Sequence, residues 1–300
     1  MESTGQGAYV SLALGFVLAG SSVLPGKQLC ALPVFLISAA GAAIALAALI
    51  PFAAKETRPE RGAMRRALPL LCAQAFFGMA LFRALMLFAL RLASAGEVGM
   101  ATSATPAFTA LFAAFFLREK ITPRKAAGVA LSICGIALIE SKGIRTRSGT
   151  LAADGQRLLG LALALGAAAS ESVFNVLAKK LHASIGPKRA SAAVTAIALA
   201  MLCVFSVATG EKVDPSALGP TTCAALAYQG LFASALAYIC FYRGAARLPA
   251  STVGAFSSLI PLAGLLLPVL FLGESFGVLG AVGAAIALAG MLVCALTDKR

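Results

Sequence analysis

The sequence predicts an all-α integral membrane protein, with ten transmembrane helices arranged as two inverted five-helix repeats. Three observations predict it. Of the 300 residues 60% are hydrophobic and only 12% are charged, about half the charged fraction with which a soluble domain faces water. Ten apolar runs follow one another with short connections, each near the roughly 20 helical residues that cross a bilayer. A shift of 155 positions also lays one part of the chain on another.

The runs fall at 8–24, 29–53, 68–91, 94–117, 123–140, 158–180, 188–209, 220–243, 249–272 and 275–297. They are continuously apolar and rich in Ala, Leu and Gly rather than alternating, which disfavours strands. Residues 1–7 carry no Lys or Arg, and the first run leads straight into the second. The first run is therefore expected to be a retained span and not a cleaved signal.

The net charge of +13 lies in short clusters between the runs, without interleaved aromatics and with no Trp in the chain. That argues against a nucleic-acid partner and for the charge bias that orients membrane helices. One set of alternate loops holds Lys55, Arg58, Arg61, Arg65, Arg66, Arg118, Lys120, Arg124, Lys125, Lys179, Lys180, Lys188, Arg189, Arg243, Arg247, Lys299 and Arg300, 17 in all. The other set holds 7: Lys27, Arg91, Lys142, Arg145, Arg147, Arg157 and Lys212. Both termini are expected in the cytoplasm, with the chain multi-pass in the cell (inner) membrane and lipid as its first partner.

The seven cysteines are scattered singly and form no C-x-x-C pair. They suggest neither a disulfide framework nor a zinc site, and no metal or cofactor is expected.

The shift of 155 carries Ala95, Val98, Gly99, Ser103, Pro106, Leu111, Phe116, Leu117 and Glu119 onto Ala250, Val253, Gly254, Ser258, Pro261, Leu266, Phe271, Leu272 and Glu274. Ala126, Gly128, Ala130 and Gly135 continue onto Ala281, Gly283, Ala285 and Gly290. The expected units are 1–141, a linker at 142–157, and 158–300. A unit of five spans is odd-numbered, so its copy enters the membrane the other way up. Such a repeat lets one central site face each side in turn.

Pro106 and Pro261 each fall near the middle of a run, where proline removes a backbone hydrogen bond and kinks a helix. The freed carbonyls need protein or a water-filled cavity. Thr102, Thr105 and Thr109 share a face beside Pro106, and Ser257 and Ser258 precede Pro261. These hydroxyls either patch the bent backbone or line a polar path.

The stretch Thr102-Ser103-Ala104-Thr105-Pro106 through Leu117-Arg118-Glu119, with its copy Ser258-Leu259-Ile260-Pro261 through Leu272-Gly273-Glu274, resembles the paired signatures of the drug/metabolite transporter superfamily, EamA-type branch. The Gly-rich fifth and tenth spans and a first span ending near Lys27 fit the same pattern. The absence of Trp departs from it. The resemblance implies two successive EamA domains. It also implies a central cavity lined by the first, third, fourth, sixth, eighth and ninth spans, with the others as scaffold, and a small-molecule substrate. Members of this family export amino acids, drugs and other metabolites, or take up vitamins and nucleotide-linked compounds. The expectation is a secondary exporter of small polar or zwitterionic metabolites working by alternating access. An uptake carrier for a vitamin or nucleotide-like compound, and a channel or scaffold, stay open at this point.

A charge at the centre of a membrane helix costs about 2.5–3.5 kcal/mol on insertion scales, so it needs a reason. Arg83 lies within the third run and Glu171 near the middle of the sixth, with Asn175 one turn on. Near offsets place Ile239 opposite Arg83 and Gly20 opposite Glu171, so neither charge is repeated. Arg83 is the candidate partner for a substrate carboxylate, and Glu171 for a substrate amine or a coupling proton. The alternative is a structural Arg83–Glu171 ion pair. Ser234, Tyr238 and Tyr242 recur every four residues; Tyr238 is the candidate for substrate contact and Tyr242 for an interface anchor. Gln74 is a further candidate. Glu97 with Arg91 reads as a local pair, Glu119 and Glu274 as structural, and His182 has nothing to support a ligand role.

No nucleophile–base pair, metal cluster or G-x-x-x-x-G-K-[ST] loop is present, so an enzyme and an ATPase are disfavoured. Energy would come from a gradient. Gly280/Ala284 and Gly283/Ala287 offer small-residue helix contacts that serve a monomer or a homodimer alike.

Overall fold

The computed structural model describes residues 2–22, 24–25, 29, 32–56, 62–93, 98, 101–102, 104–140, 151–214, 217–272 and 278–297. Regular structure among them is helical throughout, with no strand. The main elements are α1 (Glu2–Gly20), α2 (Val34–Ala54), α3 (Ala63–Ala75), α4 (Phe82–Leu92), α5 (Thr105–Leu117), α6 (Pro123–Glu140) and α7 (Leu151–Ile185). There follow α8 (Pro187–Ala208), α9 (Pro220–Gly230), α10 (Ala237–Ala245), α11 (Ala250–Phe256), α12 (Leu259–Leu272) and α13 (Val278–Thr297). Among the described residues six helices are long and apolar enough to cross a membrane: Val34–Ala54, Ala63–Met86, Gly155–Lys179, Pro187–Ala208, Pro220–Ala245 and Val278–Thr297. Gln6–Gly20 and Thr105–Leu117 are shorter apolar helices. Large apolar side chains such as Phe115, Phe116, Leu270 and Phe271 point outward, as a surface facing hydrocarbon requires.

α7 begins at Leu151, inside the stretch expected as linker. Residues 141–150, together with Lys27, Glu97, Ser103 and Glu274, lie outside the described residues, as do the side chains of Pro261 and His182.

Two long helices are interrupted by π-helical turns, Phe76–Leu81 between α3 and α4 and Leu231–Leu236 between α9 and α10. In each the N–H that closes the turn reaches back five residues, from Phe82 to the Phe77 carbonyl and from Ala237 to the Phe232 carbonyl. The two turns lie 155 residues apart at both ends, so the sequence repeat extends into backbone geometry. They place Tyr238 opposite Arg83, where near offsets had suggested Ile239.

α6 and α13 form the closest helix pair, and glycine is the reason. A methyl group on Gly128 would stand 2.8 Å from the Gly290 carbonyl, and one on Gly135 would stand 2.6 Å from the Gly283 carbonyl. Gly283 and Gly290 are themselves the repeat counterparts of Gly128 and Gly135. The contact thus pairs each glycine of α6 with the repeat counterpart of the other. Partner numbers fall as α6 advances, so the two helices run antiparallel.

A second exchanged pair ties helix starts. The Glu56 carboxylate accepts from the N–H groups of Lys188 (3.3 Å) and Arg189 (2.8 Å) as α8 begins, and Arg189 Nη2 donates to the Glu56 carbonyl at 2.7 Å. Glu211, 155 residues on, accepts from Phe35 (3.2 Å) and Leu36 (2.7 Å) as α2 begins. Each carboxylate satisfies otherwise unpaired first-turn donors of the other half. Gly186, at φ 76°, lets the chain turn from α7 into α8 with the Glu56 carboxylate against its Cα.

Pro106 and Pro261 open helices and do not bend them. Pro106 is the second residue of α5, and Pro261 the third of α12, which the turn at Ser257–Ser258 separates from α11. In a first helical turn proline forfeits no intrahelical bond, so the corresponding spans are broken and not kinked.

Candidate functional site

A cavity of about 630 Å³ lies between the two halves. Its walls come from α1, α2, the π-turns with α4 and α10, α5, α7 and the Ser257–Ile260 break, with Ile136 and Thr195 at its edges. Nine pairs of lining residues stand 155 apart: Phe16/Glu171, Ala19/Phe174, Gly78/Ala233, Met79/Ser234, Phe82/Ala237, Arg83/Tyr238, Met86/Phe241, Thr102/Ser257 and Thr105/Ile260. The cavity therefore draws on equivalent positions of both repeats. The π-turns supply Gly78, Met79, Ala233 and Ser234 to it, in keeping with the frequent placement of such turns at working sites.

Of the sequence candidates, Arg83, Glu171, Asn175, Tyr238, Thr102, Thr105 and Pro106 line this cavity together. Arg83 and Glu171 are both half-buried, and among the described residues no salt bridge joins them. Arg83 has Tyr238 as its electrostatic neighbour, while the Tyr238 hydroxyl lies 3.5 Å from Met79 Sδ. Glu171 meets the Thr105 hydroxyl at 3.2 Å. Gly20, which near offsets place opposite Glu171, packs against Ile260; the shift of 155 itself pairs Glu171 with Phe16 and Thr105 with Ile260. The Glu171–Thr105 pair is thus polar, and the positions 155 residues away are apolar.

Asn175 Nδ2 and Thr195 Oγ1 are buried without a hydrogen-bond partner. A buried donor left unmade costs about 1–3 kcal/mol, and both residues border the cavity. The remaining wall is largely apolar: Phe16, Phe82, Phe174, Phe241, Met79 and Met86.

Two candidates lie elsewhere. Gln74 is fully buried, donating from Nε2 to the Phe174 carbonyl (3.1 Å) and accepting at Oε1 from the Tyr242 hydroxyl (2.7 Å). Tyr242, expected as an interface anchor, is 1% exposed, so it is an interior residue tying α10 to α3. Ser258 donates to the Ala255 carbonyl within its own turn, and Ser257 is the serine on the cavity wall. Sequence reasoning missed Gln229, which lines the cavity and is the repeat counterpart of Gln74. The shift of 155 was the signal that could have found it.

At the end of the cavity near Leu32 and Val34, a polar cleft of about 520 Å³ adjoins it, edged by Arg91, Glu211, Lys212 and Asp214. Away from it, Glu119 gathers four donors: Lys179 Nζ (2.7 Å), the N–H groups of Ala250 (2.8 Å) and Ser251 (3.3 Å), and the Ser251 hydroxyl (3.1 Å). Burial pushes the Glu119 carboxyl up, but these donors outweigh it and hold the group below its ordinary value. The structural reading of Glu119 fits these bonds.

Apolar helices around a largely apolar cavity that carries a few polar groups and both signs of charge define a multi-pass membrane protein built to hold a small molecule. The sequence pattern of the EamA-like transporter family matches twice, over residues 6–141 and 158–296; the chain belongs to this family, within the drug/metabolite transporter superfamily, and is a membrane transporter. It is similar to the uncharacterized transporter YetK of Bacillus subtilis (strain 168), 29% identical over 98% of this chain and 88% of that one. It is also 28% identical, over 76% of this chain and 73% of the relative, to a Streptantibioticus cattleyicolor protein described as a "Probable terminal-alkyne amino-acid exporter". A solved crystal structure, 20% identical, superposes with a TM-score of 0.81 over 100% of this chain and 99% of its own. That likeness concerns the fold.

Proposed function

We propose that this transporter exports small zwitterionic metabolites, amino acids or related compounds, by alternating access. The observation that carries the reading is the pair of opposite charges, Arg83 and Glu171, in one cavity without a bond between them. An unpaired guanidinium suits a bidentate carboxylate, and the Glu171 carboxyl suits an amine or a coupling proton. The relative described as an amino-acid exporter supports the class.

Ten crossings in two inverted halves, 1–141 and 158–300, complete the proposal. The antiparallel Gly128–Gly290 and Gly135–Gly283 contacts and the exchanged Glu56 and Glu211 caps support inversion. Both termini lie in the cytoplasm and the membrane is the inner one, by the distribution of Lys and Arg. On that orientation the cleft at Arg91 and Lys212 opens outward, and the Gln74–Tyr242 bond closes the cytoplasmic end.

A thermal-shift screen of the purified protein against a metabolite library, followed by counterflow in proteoliposomes, tests the reading. Zwitterions should stabilise the protein and exchange saturably. Amines or carboxylates acting equally well alone would refute the two-charge site, and non-saturable flux would mark a channel.

A further inference from the structure

The ground between the two cavity charges is aromatic. Tyr238 is the electrostatic neighbour of Arg83, and its ring centroid lies 6.4 Å from that of Phe174. Phe174 follows Glu171 by three residues on α7, so the two share a helical face, and both line the cavity. Phe174 and Tyr238 are half-buried. Behind them Phe241 stacks on Phe174 at 5.2 Å, the ring planes 21° apart, and Phe16 meets Phe241 edge-on at 5.6 Å. Phe241 and Phe16 are buried. The four rings form a platform with a single polar group, the Tyr238 hydroxyl, and that hydroxyl already lies 3.5 Å from Met79 Sδ.

Gly78 sets where the front ring stands. A methyl group there would come within 2.7 Å of Phe174 Cγ and 3.0 Å of its Cβ. The root of the side chain would be struck, which turning the ring does not relieve, so the π-turn packs beneath Phe174 only because residue 78 has no side chain. At two bulky positions of this wall the other repeat carries alanine, Ala19 for Phe174 and Ala237 for Phe82. The facing wall is recessed there and leaves room for a substituent.

We infer that Phe174 is a specificity-determining residue that selects zwitterions carrying a bulky apolar side chain, and that Gly78 is the positioning residue that holds its ring in place. The inference rests on the two-charge site proposed above and names the third group of its substrate. A zwitterion with its carboxylate at Arg83 and its ammonium at Glu171 lies along the Tyr238 and Phe174 rings, so the rest of the molecule meets apolar faces. An apolar side chain gains by leaving water there, about fourfold in affinity for each methylene buried. A hydroxyl or amide set against the same faces gives up its bonds to water and finds no partner in the rings.

Concentration-dependent thermal stabilisation of the full-length protein in detergent by phenylalanine, leucine, serine and asparagine tests this. Phenylalanine and leucine should act at concentrations about 10–100-fold below those needed for serine and asparagine. Phe174→Ala should shrink that gap about tenfold, because it withdraws the ring and leaves both charges; the bond from Gln74 goes to the main-chain carbonyl of residue 174 and survives. Gly78→Ala should shrink the gap with Phe174 still present, a change of selectivity that a mere loss of stability does not produce. Serine and asparagine acting as well as phenylalanine on the wild type would show that polar groups such as Asn175 and Gln229 read the side chain, and overturns the inference. A gap unchanged in Phe174→Ala overturns it too. Should that variant fail to fold, Phe174→Leu takes its place, with a smaller reduction expected and an unchanged gap again decisive against. Phenethylamine acting as well as phenylalanine is a different result: it strikes the two-charge site, and the inference with it.

Discussion

Arg83 and Tyr238 occupy equivalent positions in the two halves, 155 residues apart, and interact within a single cavity. The repeat has thus kept the place and changed the chemistry: one half presents a guanidinium where the other presents a phenol. Around them Thr102/Ser257 keeps the hydroxyl, and Thr105/Ile260 loses it. A site of this kind is symmetric in shape and asymmetric in charge, which is what a carrier of small dipolar molecules needs.

Arg83→Ala should raise the apparent substrate constant for carboxylate-bearing compounds by about 10–100-fold, the equivalent of one lost charge-assisted bond of about 1.5–3 kcal/mol. Folding should be unaffected, since among the described residues Arg83 has no ionic partner to orphan. Concentration dependence of counterflow measures the first effect and size-exclusion behaviour the second. A variant that misfolds only while Glu171 is retained would mark a structural pair instead.

Glu171→Gln should abolish transport, or at least its pH dependence, at normal expression. Uptake into proteoliposomes between pH 5 and 8 is the measurement; wild-type rates at every pH would remove Glu171 from the mechanism.

These two residues were legible because a charge inside an apolar run stands out against its neighbours. The run lengths gave the helices by the same arithmetic. The π-turns were not legible: FFGMAL and LFASAL carry no proline, yet each turn rotates the residues beyond it by part of a helical step. Gln74, read as a cavity residue, faces Tyr242 in the interior although its repeat counterpart Gln229 lines the cavity, and near offsets missed the Arg83–Tyr238 equivalence that the shift of 155 gives directly. Ser257 and Ser258 were indistinguishable in sequence, because only the geometry of the turn decides which one faces the cavity.

Glu119 gives stability a pH dependence. Its folded-state carboxyl is held below the ordinary range, so the stability it confers is complete above the unfolded value of about 4.3 and is lost as pH falls through the folded one. Glu119→Gln should lower the melting temperature at pH 7 and reduce the loss seen on acidification towards pH 3. Melting curves of both proteins in detergent across that range check it. Equal acid slopes would show that the Lys179 and Ala250 bonds do not govern it.

Gly135→Leu should be more damaging than any change on the outward face, for example Phe115→Leu. The side chain would have to enter the space of the Gly283 carbonyl, and forced overpacking costs about 1–3 kcal/mol or more. Thermal stability in detergent distinguishes the two variants.

The seam between α6 and α13 presents the same glycines from either side. On the proposed inverted arrangement, a single half already carries the glycine surface that a second copy of itself would meet. The two repeats thus differ at the cavity, Thr105 and Glu171 against Ile260 and Phe16, while the glycines of the seam are the same in both.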